Sequence, residues 1–214
     1  LFIGDKVAAV AAESAALAEE ALLQIDVQYE ELAAVFDPEE AMDGSAPVLH
    51  EDMASYRGLP QPPSDINNVL AHNSWTKGDS EQGFQESDLI IEHTFSTQLA
   101  HQGYIEPHAC VVEIDGAGRV QIWANNKGPF MLRDQLAAVW GLSKEQIRIN
   151  PCSIGGDFGG KGSFMDVPLC YYLAFYSGRP VKMVMDYIQE FMAGNPRHPG
   201  IITLKTGVKK DGRL

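Results

Sequence analysis

No stretch of this 214-residue chain carries eighteen apolar residues in a row, so nothing in it reads as a membrane-spanning helix. Its opening residues lack the basic, apolar and small-residue order of a secretory signal. Cysteine is scarce: Cys110, Cys152 and Cys170 stand alone, with no Cys-x-x-Cys spacing. That excludes a four-cysteine cluster within the chain and a disulfide framework. It fits reduced, mostly buried thiols in a reducing, cytoplasmic setting, and Cys152 reads as a core thiol. Basic residues are few, 16 against 29 acidic, for a net charge of −13. A chain so short of positive charge has no patch for nucleic acid or an anionic membrane. The acid falls in short clusters such as Glu19-Glu20 and Glu39-Glu40, the pattern of a solvated face. No internal repeat is visible, and His93, His101 and His108 are spaced too widely for paired zinc ligands.

What is present is ordinary for a globular protein of one or two domains: 45% hydrophobic and 21% charged residues. The pattern predicts an α+β organisation. Lys6 to Ala12, a run of small apolar residues, reads as a buried strand. Ser14 to Gln24, with Leu17, Ala21 and Leu22 on one face, reads as a helix, and Ile25 to Tyr29 as a second strand. Asp43 to Asn68 then collects Pro47, Pro60, Pro62 and Pro63 with Gly44, Gly58 and Ser64, as a wrapping linker does. Strands are predicted at Asn73 to Thr76 and Leu89 to Ser96. A hairpin follows, Ala109 to Ile114 and Arg119 to Ala124, joined by Asp115-Gly-Ala-Gly118. Phe130 to Trp140 has helical spacing and stops at Gly141. Val167 to Tyr176 is a second such helix, closed by Gly178 and Pro180, before a strand at Val181 to Met185.

The most informative segment lies between these elements. A β-prone run, Gln146 to Ile149, feeds a loop with glycines at 155, 156, 159 and 160, one aromatic (Phe158) and a terminal Lys161. Glycines accept positive φ and let a backbone lie flat on a ligand, with successive N–H groups facing an anion or a polarised oxygen. One reading is a nucleotide cradle. Gly155, Gly160 and Lys161 match the P-loop, but Gly162 stands where a magnesium-ligating Ser or Thr is required. Another is a plain strand-to-helix turn that binds nothing. A separate pair, Glu106 and His108, puts a carboxylate and an imidazole two residues apart, where one strand face would present both; a structural role is the better reading.

Gly155-Gly-Asp-Phe-Gly-Gly-Lys161 resembles the signature loop of the xanthine dehydrogenase and aldehyde oxidase family, in its molybdopterin-binding subunit. The resemblance extends over nearly the whole chain. Gly4 to Glu13, Ala21 to Tyr29 and Asp37 to Ala41 resemble the end of that family's α/β hammerhead domain, and Ile105-Glu-Pro-His108 the motif opening its molybdenum-binding portion. Leu132 to Ile149, Arg197-His-Pro199 and Lys210 to Leu214 keep the family's order. The resemblance implies an α+β fold: the end of a hammerhead domain over 1–42, a linker over 43–72, and the first portion of a molybdopterin-binding domain over 73–214.

The resemblance also implies an oxidoreductase chemistry, in which oxygen from water enters a C–H bond of an aldehyde or aromatic heterocycle at a molybdenum cofactor. Iron–sulfur and FAD centres would lie on other domains or subunits. It implies Gly156, Phe158, Gly159 and Gly160 as cofactor-binding residues, with Lys161 anchoring the loop and Arg197 and His198 near the core or the pterin. Two positions depart from the purine-oxidising branch. Gly162 replaces a substrate-orienting glutamate, which argues against a purine. Ala100 stands where that branch has a glutamine bonding a molybdenum oxo group; Gln102, two residues on, would substitute given a two-residue shift of the backbone, which keeps the same strand face. The family's general-base glutamate falls beyond residue 214, and the chain opens on Leu-Phe-Ile rather than Met. The expectation is a fragment or split subunit, inactive alone, completed by the rest of the molybdenum subunit. A non-catalytic scaffold of the same fold is the alternative.

Overall fold

In the computed structural model, which describes residues 2–56 and 67–214, two compact units form, one from residues 27–93 and 204–214, the other from 2–26 and 94–203. In the second unit the chain starts extended and then forms α1 (Ala15–Leu22), capped by the Ser14 hydroxyl, which accepts from the Leu17 amide at 3.3 Å. The predicted helix is therefore present, but its two flanking strands are not: 6–12 and 25–29 pair with no other strand among the described residues. The alanine-rich run at 6–12 has little to pack on a pleated surface, and both segments stay exposed or half-exposed.

The first unit holds α2 (Pro38–Ala41), a short 3₁₀ turn (Met53–Ser55) and α3 (Ser80–Gln85). Asp37 caps α2 by accepting from the Glu39 and Glu40 amides, with Pro38 preset at the first turn. The strand expected at 73–76 does not form, and α3, which follows it, was not foreseen. Part of the expected linker does run without regular structure. Asn68 gathers it, accepting from the Leu49 amide and donating to the carbonyls of Ala41 and Pro47. Pro60, Pro62, Pro63, Gly58 and Ser64 lie outside the described residues.

Strand β1 (Leu89–Thr97) pairs with a strand from the end of the chain, Gly200–Val208, as a two-stranded sheet. The centre of the second unit is the expected hairpin, β2 (Ala109–Ile114) and β3 (Val120–Ala124), antiparallel with Cys110 opposite Ala124 and Val112 opposite Ile122. Asp115 builds its turn: one carboxylate oxygen accepts from the amides of Ala117 and Arg119, and Gly118 takes φ +76. Helix α4 (Pro129–Trp140) ends on Gly141 in the left-handed region and leads to β4 (Ile147–Asn150), parallel to β3. Helix α5 (Val167–Ser177) ends the same way at Gly178, and β5 (Val181–Val184) pairs with the other edge of β2, giving the order β4-β3-β2-β5. Helix α6 (Tyr187–Ala193), with a capping box from Asp186 and Gln189, and the terminal strand β6 (Gly200–Val208) complete the elements.

Alternation along β2 and β3 turns Cys110, Val112, Val120 and Ile122 toward α4 and α5, where they meet Leu132, Leu136, Cys170 and Ala174 in one core. Trp140 stacks on Tyr171 across the two helices at 4.1 Å. Cys152 corrects the sequence reading: it is exposed, whereas Cys110 and Cys170 are buried. A thiol two residues past an edge strand's last paired position, after Pro151, has no layer above it. The consequence for function is positional. β3, α4 and β4 form a strand–helix–strand unit, and the glycine loop leaves from the carboxyl end of β4, where open α/β sheets place ligands.

Candidate functional site

Asp157 shapes the glycine loop. Its carboxylate accepts from the Lys161 amide at 2.5 Å and the Gly159 amide at 3.2 Å, and its carbonyl accepts from the Gly160 amide at 2.8 Å. The Lys127 ammonium lies 3.1 Å from the same carboxylate. Burial works to raise the Asp157 pKa, but the Lys161 amide and Lys127 outweigh it and hold the group below its usual value. The turn forces φ +104 at Gly156, +45 at Phe158 and +96 at Gly159. Phe158 is the one non-glycine of these three in the left-handed region, and the residue is two-thirds exposed.

A second anchor comes from the segment before β2. Glu106 accepts from the Gly155 amide at 2.7 Å and from the Lys161 ammonium at 2.6 Å, and its own amide donates to the Gly155 carbonyl. Lys161 is fully buried; the Glu106 side chain is 37% exposed. Burial would raise the Glu106 pKa, yet Lys161 and the Gly155 amide bring it below the ordinary range. Lys161 thus holds the loop, as the family resemblance implied. A P-loop lysine must reach out to phosphates; this one is turned inward to a carboxylate, and no helix begins until Val167.

The loop rests on Tyr104. A Cβ on Gly156 would stand 2.9 Å from Tyr104 Cβ, and one on Gly160 would stand 2.6 Å from Tyr104 Cε1. The Lys161 ammonium sits 4.7 Å from the centre of the same ring. Glycine is required at 156 and 160 by this close approach, and at 159, where the space is open, by φ. Tyr104 in turn donates its hydroxyl to Glu190, which is almost wholly buried. Glu190 also accepts from the His108 amide at 2.6 Å and meets His108 Nδ1 at 2.8 Å, with His101 Nε2 at 3.5 Å. Burial and the Glu190 carboxylate push the Tyr104 hydroxyl far up. Burial opposes ionisation of Glu190, but Tyr104 and His108 more than offset it and lower its pKa.

Glu106 and His108 therefore do not act as a pair on one strand face: neither is in a strand, and each turns to its own partner, Lys161 and Glu190. Gln102 lies beside the loop, its carboxamide carbon 3.2 Å from where a Gly160 Cβ would stand. Its nitrogen donates to the Asn195 carbonyl at 2.9 Å, and its buried oxygen has no partner among the described residues. Ala100 bridges to Arg197 through paired backbone hydrogen bonds, and the Arg197 guanidinium donates to the Phe158 carbonyl at 3.3 Å. His198 is exposed.

The amides expected to face a ligand are in large part already used. Those of Gly155, Gly159, Gly160 and Lys161 are satisfied within the chain, while those of Gly156, Asp157 and Phe158 have no partner among the described residues. Sequence reasoning did not single out Tyr104, Asp157, Lys127 or Glu190. Only Glu190 had a nearby local signal, the Asp186-x-x-Gln189 helix start, and that speaks for the helix, not the carboxylate. Among the described residues no cluster of His, Cys, Asp or Glu could hold a metal ion directly, and no helix is long and apolar enough to cross a membrane.

Residues 62–214 match the family described as molybdopterin cofactor-binding domain. The chain is 35% identical to the probable hypoxanthine oxidase XdhD of Escherichia coli (strain K12) over 235 residues, covering 99% of this chain and 24% of that protein. It is 32% identical to the nicotinate dehydrogenase large molybdopterin subunit of Eubacterium barkeri, covering 99% of this chain and 46% of the relative. Among solved structures, the Cu,Mo-CO dehydrogenase in its carbon monoxide reduced state matches with a TM-score of 0.79 at 25% identity, over 94% of this chain and 26% of the other. The aldehyde oxidoreductase of Desulfovibrio gigas matches with a TM-score of 0.75 at 25% identity, over 94% and 21%. The chain thus spans between about a quarter and a half of the curated relatives named here. With residues 62–214 matched by that family, the chain belongs to the molybdopterin cofactor-binding domain family.

Proposed function

We propose that the chain forms one wall of the cofactor site of a molybdenum-dependent hydroxylase, with Gly156, Phe158, Gly159, Gly160 and Gln102 against molybdopterin. The observation that carries this is the buried, unpartnered oxygen of Gln102 beside Gly160. A buried acceptor without a donor is costly, and a polar ligand seated on the loop would supply one. The unused amides at 156–158 offer donors to the same ligand, so the residues present fit a large polar cofactor. Bound molybdopterin would supply the metal and its sulfur ligands, and with them the two-electron oxidation that brings oxygen from water into a C–H bond. The chain's own residues bind and orient: Glu106 and Lys161 hold the loop's height, Asp157 its curvature, and Arg197 its outer carbonyl.

Residues 1–42 are read as the end of a hammerhead domain, 43–72 as its linker and 73–214 as the first portion of the cofactor domain. This part alone would be inactive, with the general-base glutamate, the remaining cofactor loops, and the iron–sulfur and FAD partners outside it, in a cytoplasmic assembly. The substrate class is an aldehyde or an aromatic heterocycle. The names of the relatives, a probable hypoxanthine oxidase and a nicotinate dehydrogenase, favour a nitrogen heterocycle. Gly162, whose absent Cβ would meet Lys127 at 3.2 Å, leaves the loop without a purine-orienting carboxylate and favours a substrate other than a purine. The test is to purify the natural protein and measure molybdenum and oxidised pterin per chain. Near-stoichiometric content supports the reading; a folded protein free of both sinks it and leaves the scaffold reading.

A further inference from the structure

The glycine loop lies on a single aromatic ring, and that ring is tied down from below. Gly156, Gly160 and Lys161 all pack on Tyr104. The only side-chain atom of Tyr104 able to fix the ring by a directed bond is its hydroxyl, which donates to Glu190 and has His108 Nδ1 as a longer second neighbour at 3.4 Å. Glu190 is 1% exposed, and its two oxygens take the Tyr104 hydroxyl, the His108 amide and His108 Nδ1. A carboxylate held by two donors and an imidazole nitrogen, and so little exposed, has almost no solvent to exchange them with. It joins α6 to the 101–108 segment, which also carries Gln102 and Glu106. The loop's contact with that segment through the Tyr104 ring is therefore tied to one buried anion 86 residues along the chain, which also holds the His108 amide at the segment's end.

We propose that Glu190 is a positioning residue of the cofactor site: through Tyr104 it sets the height and tilt of the 155–161 loop and the place of Gln102 beside it. The proposal rests on the cofactor-binding reading of that loop. Glu190 touches no ligand in this scheme and acts only through Tyr104 and His108.

The test compares wild type, Tyr104→Phe and Glu190→Gln in the natural protein. Tyr104→Phe is the decisive variant, because it keeps the ring and removes only the tether, so folding is retained. Two readouts are taken: molybdenum per chain, and amide hydrogen exchange resolved to residues 155–161 against β2 and β3. The expected result is faster exchange confined to 155–161, with cofactor retention down about tenfold, the scale on which outer partners of a bound metal act. Glu190→Gln, which keeps one acceptor oxygen for the tyrosine, should fall between wild type and Tyr104→Phe. Unchanged loop exchange and loading in Tyr104→Phe overturns the proposal while leaving a loaded wild type, and so the cofactor reading, intact. Faster exchange in β2 and β3 as well overturns it too, since Glu190 would then serve the fold as a whole. A wild type without molybdenum overturns the cofactor reading itself; loop exchange in Tyr104→Phe still decides whether the tether exists.

Discussion

The ammonium of Lys161 lies 2.6 Å from a carboxylate oxygen of Glu106, and the two are unequal partners: the lysine is fully buried and the glutamate is more than a third exposed. Removing one partner of a buried pair is costly because the other is left uncompensated, by about 3–5 kcal/mol when the survivor cannot reach water. Glu106→Gln leaves that kind of survivor and should destabilise by an amount near that range. Lys161→Met leaves a carboxylate that water can still reach, and should cost about 1–2 kcal/mol. Chemical denaturation of the two variants checks the order; equal losses would show that the buried ammonium finds another partner.

Acid should loosen the site through Glu190. Its pKa is lowered on folding, so it contributes stability above the unfolded carboxylate value of about 4.3, and that contribution is lost as pH falls through the lower folded value. Wild type should therefore lose stability steeply on acidification below about pH 4.3. Glu190→Gln, less stable at neutral pH, should show a flatter acid limb. Denaturation midpoints from pH 7 to pH 3 measure this, and parallel curves for the two proteins would remove Glu190 from the account.

Thiol chemistry separates the cysteines. Cys152 is exposed beside the glycine loop, while Cys110 and Cys170 are buried between β2 and α5. A maleimide added to the native protein should label Cys152 at once and the other two only on unfolding. Mass spectrometry of the digested, labelled protein reads this directly; protection of Cys152 would mean that the loop is covered in the natural protein.

Elements with local causes were legible in the sequence. The β2–β3 hairpin announces itself through Asp115 and Gly118, α4 and α5 through their glycine stops, and α1 through the spacing of Leu17, Ala21 and Leu22. The runs at 6–12 and 25–29 misled because apolar composition alone does not supply a pairing partner. At the site, sequence order could flag the glycine loop and the inward role of Lys161, since both belong to one motif. It could not supply Glu190, because the contacts that give that carboxylate meaning lie 82 and 86 residues away. Cys152 was misread for a similar reason: burial depends on what packs over a residue, and β4 is an edge strand.

The turn that Asp157 builds fixes the backbone of 157–161 by hydrogen bonds internal to the chain. The conformational entropy of that stretch is therefore surrendered during folding and not at the moment of encounter. A molecule arriving at the loop would meet a finished edge, and the free energy of its contacts would go into holding it instead of into ordering the protein.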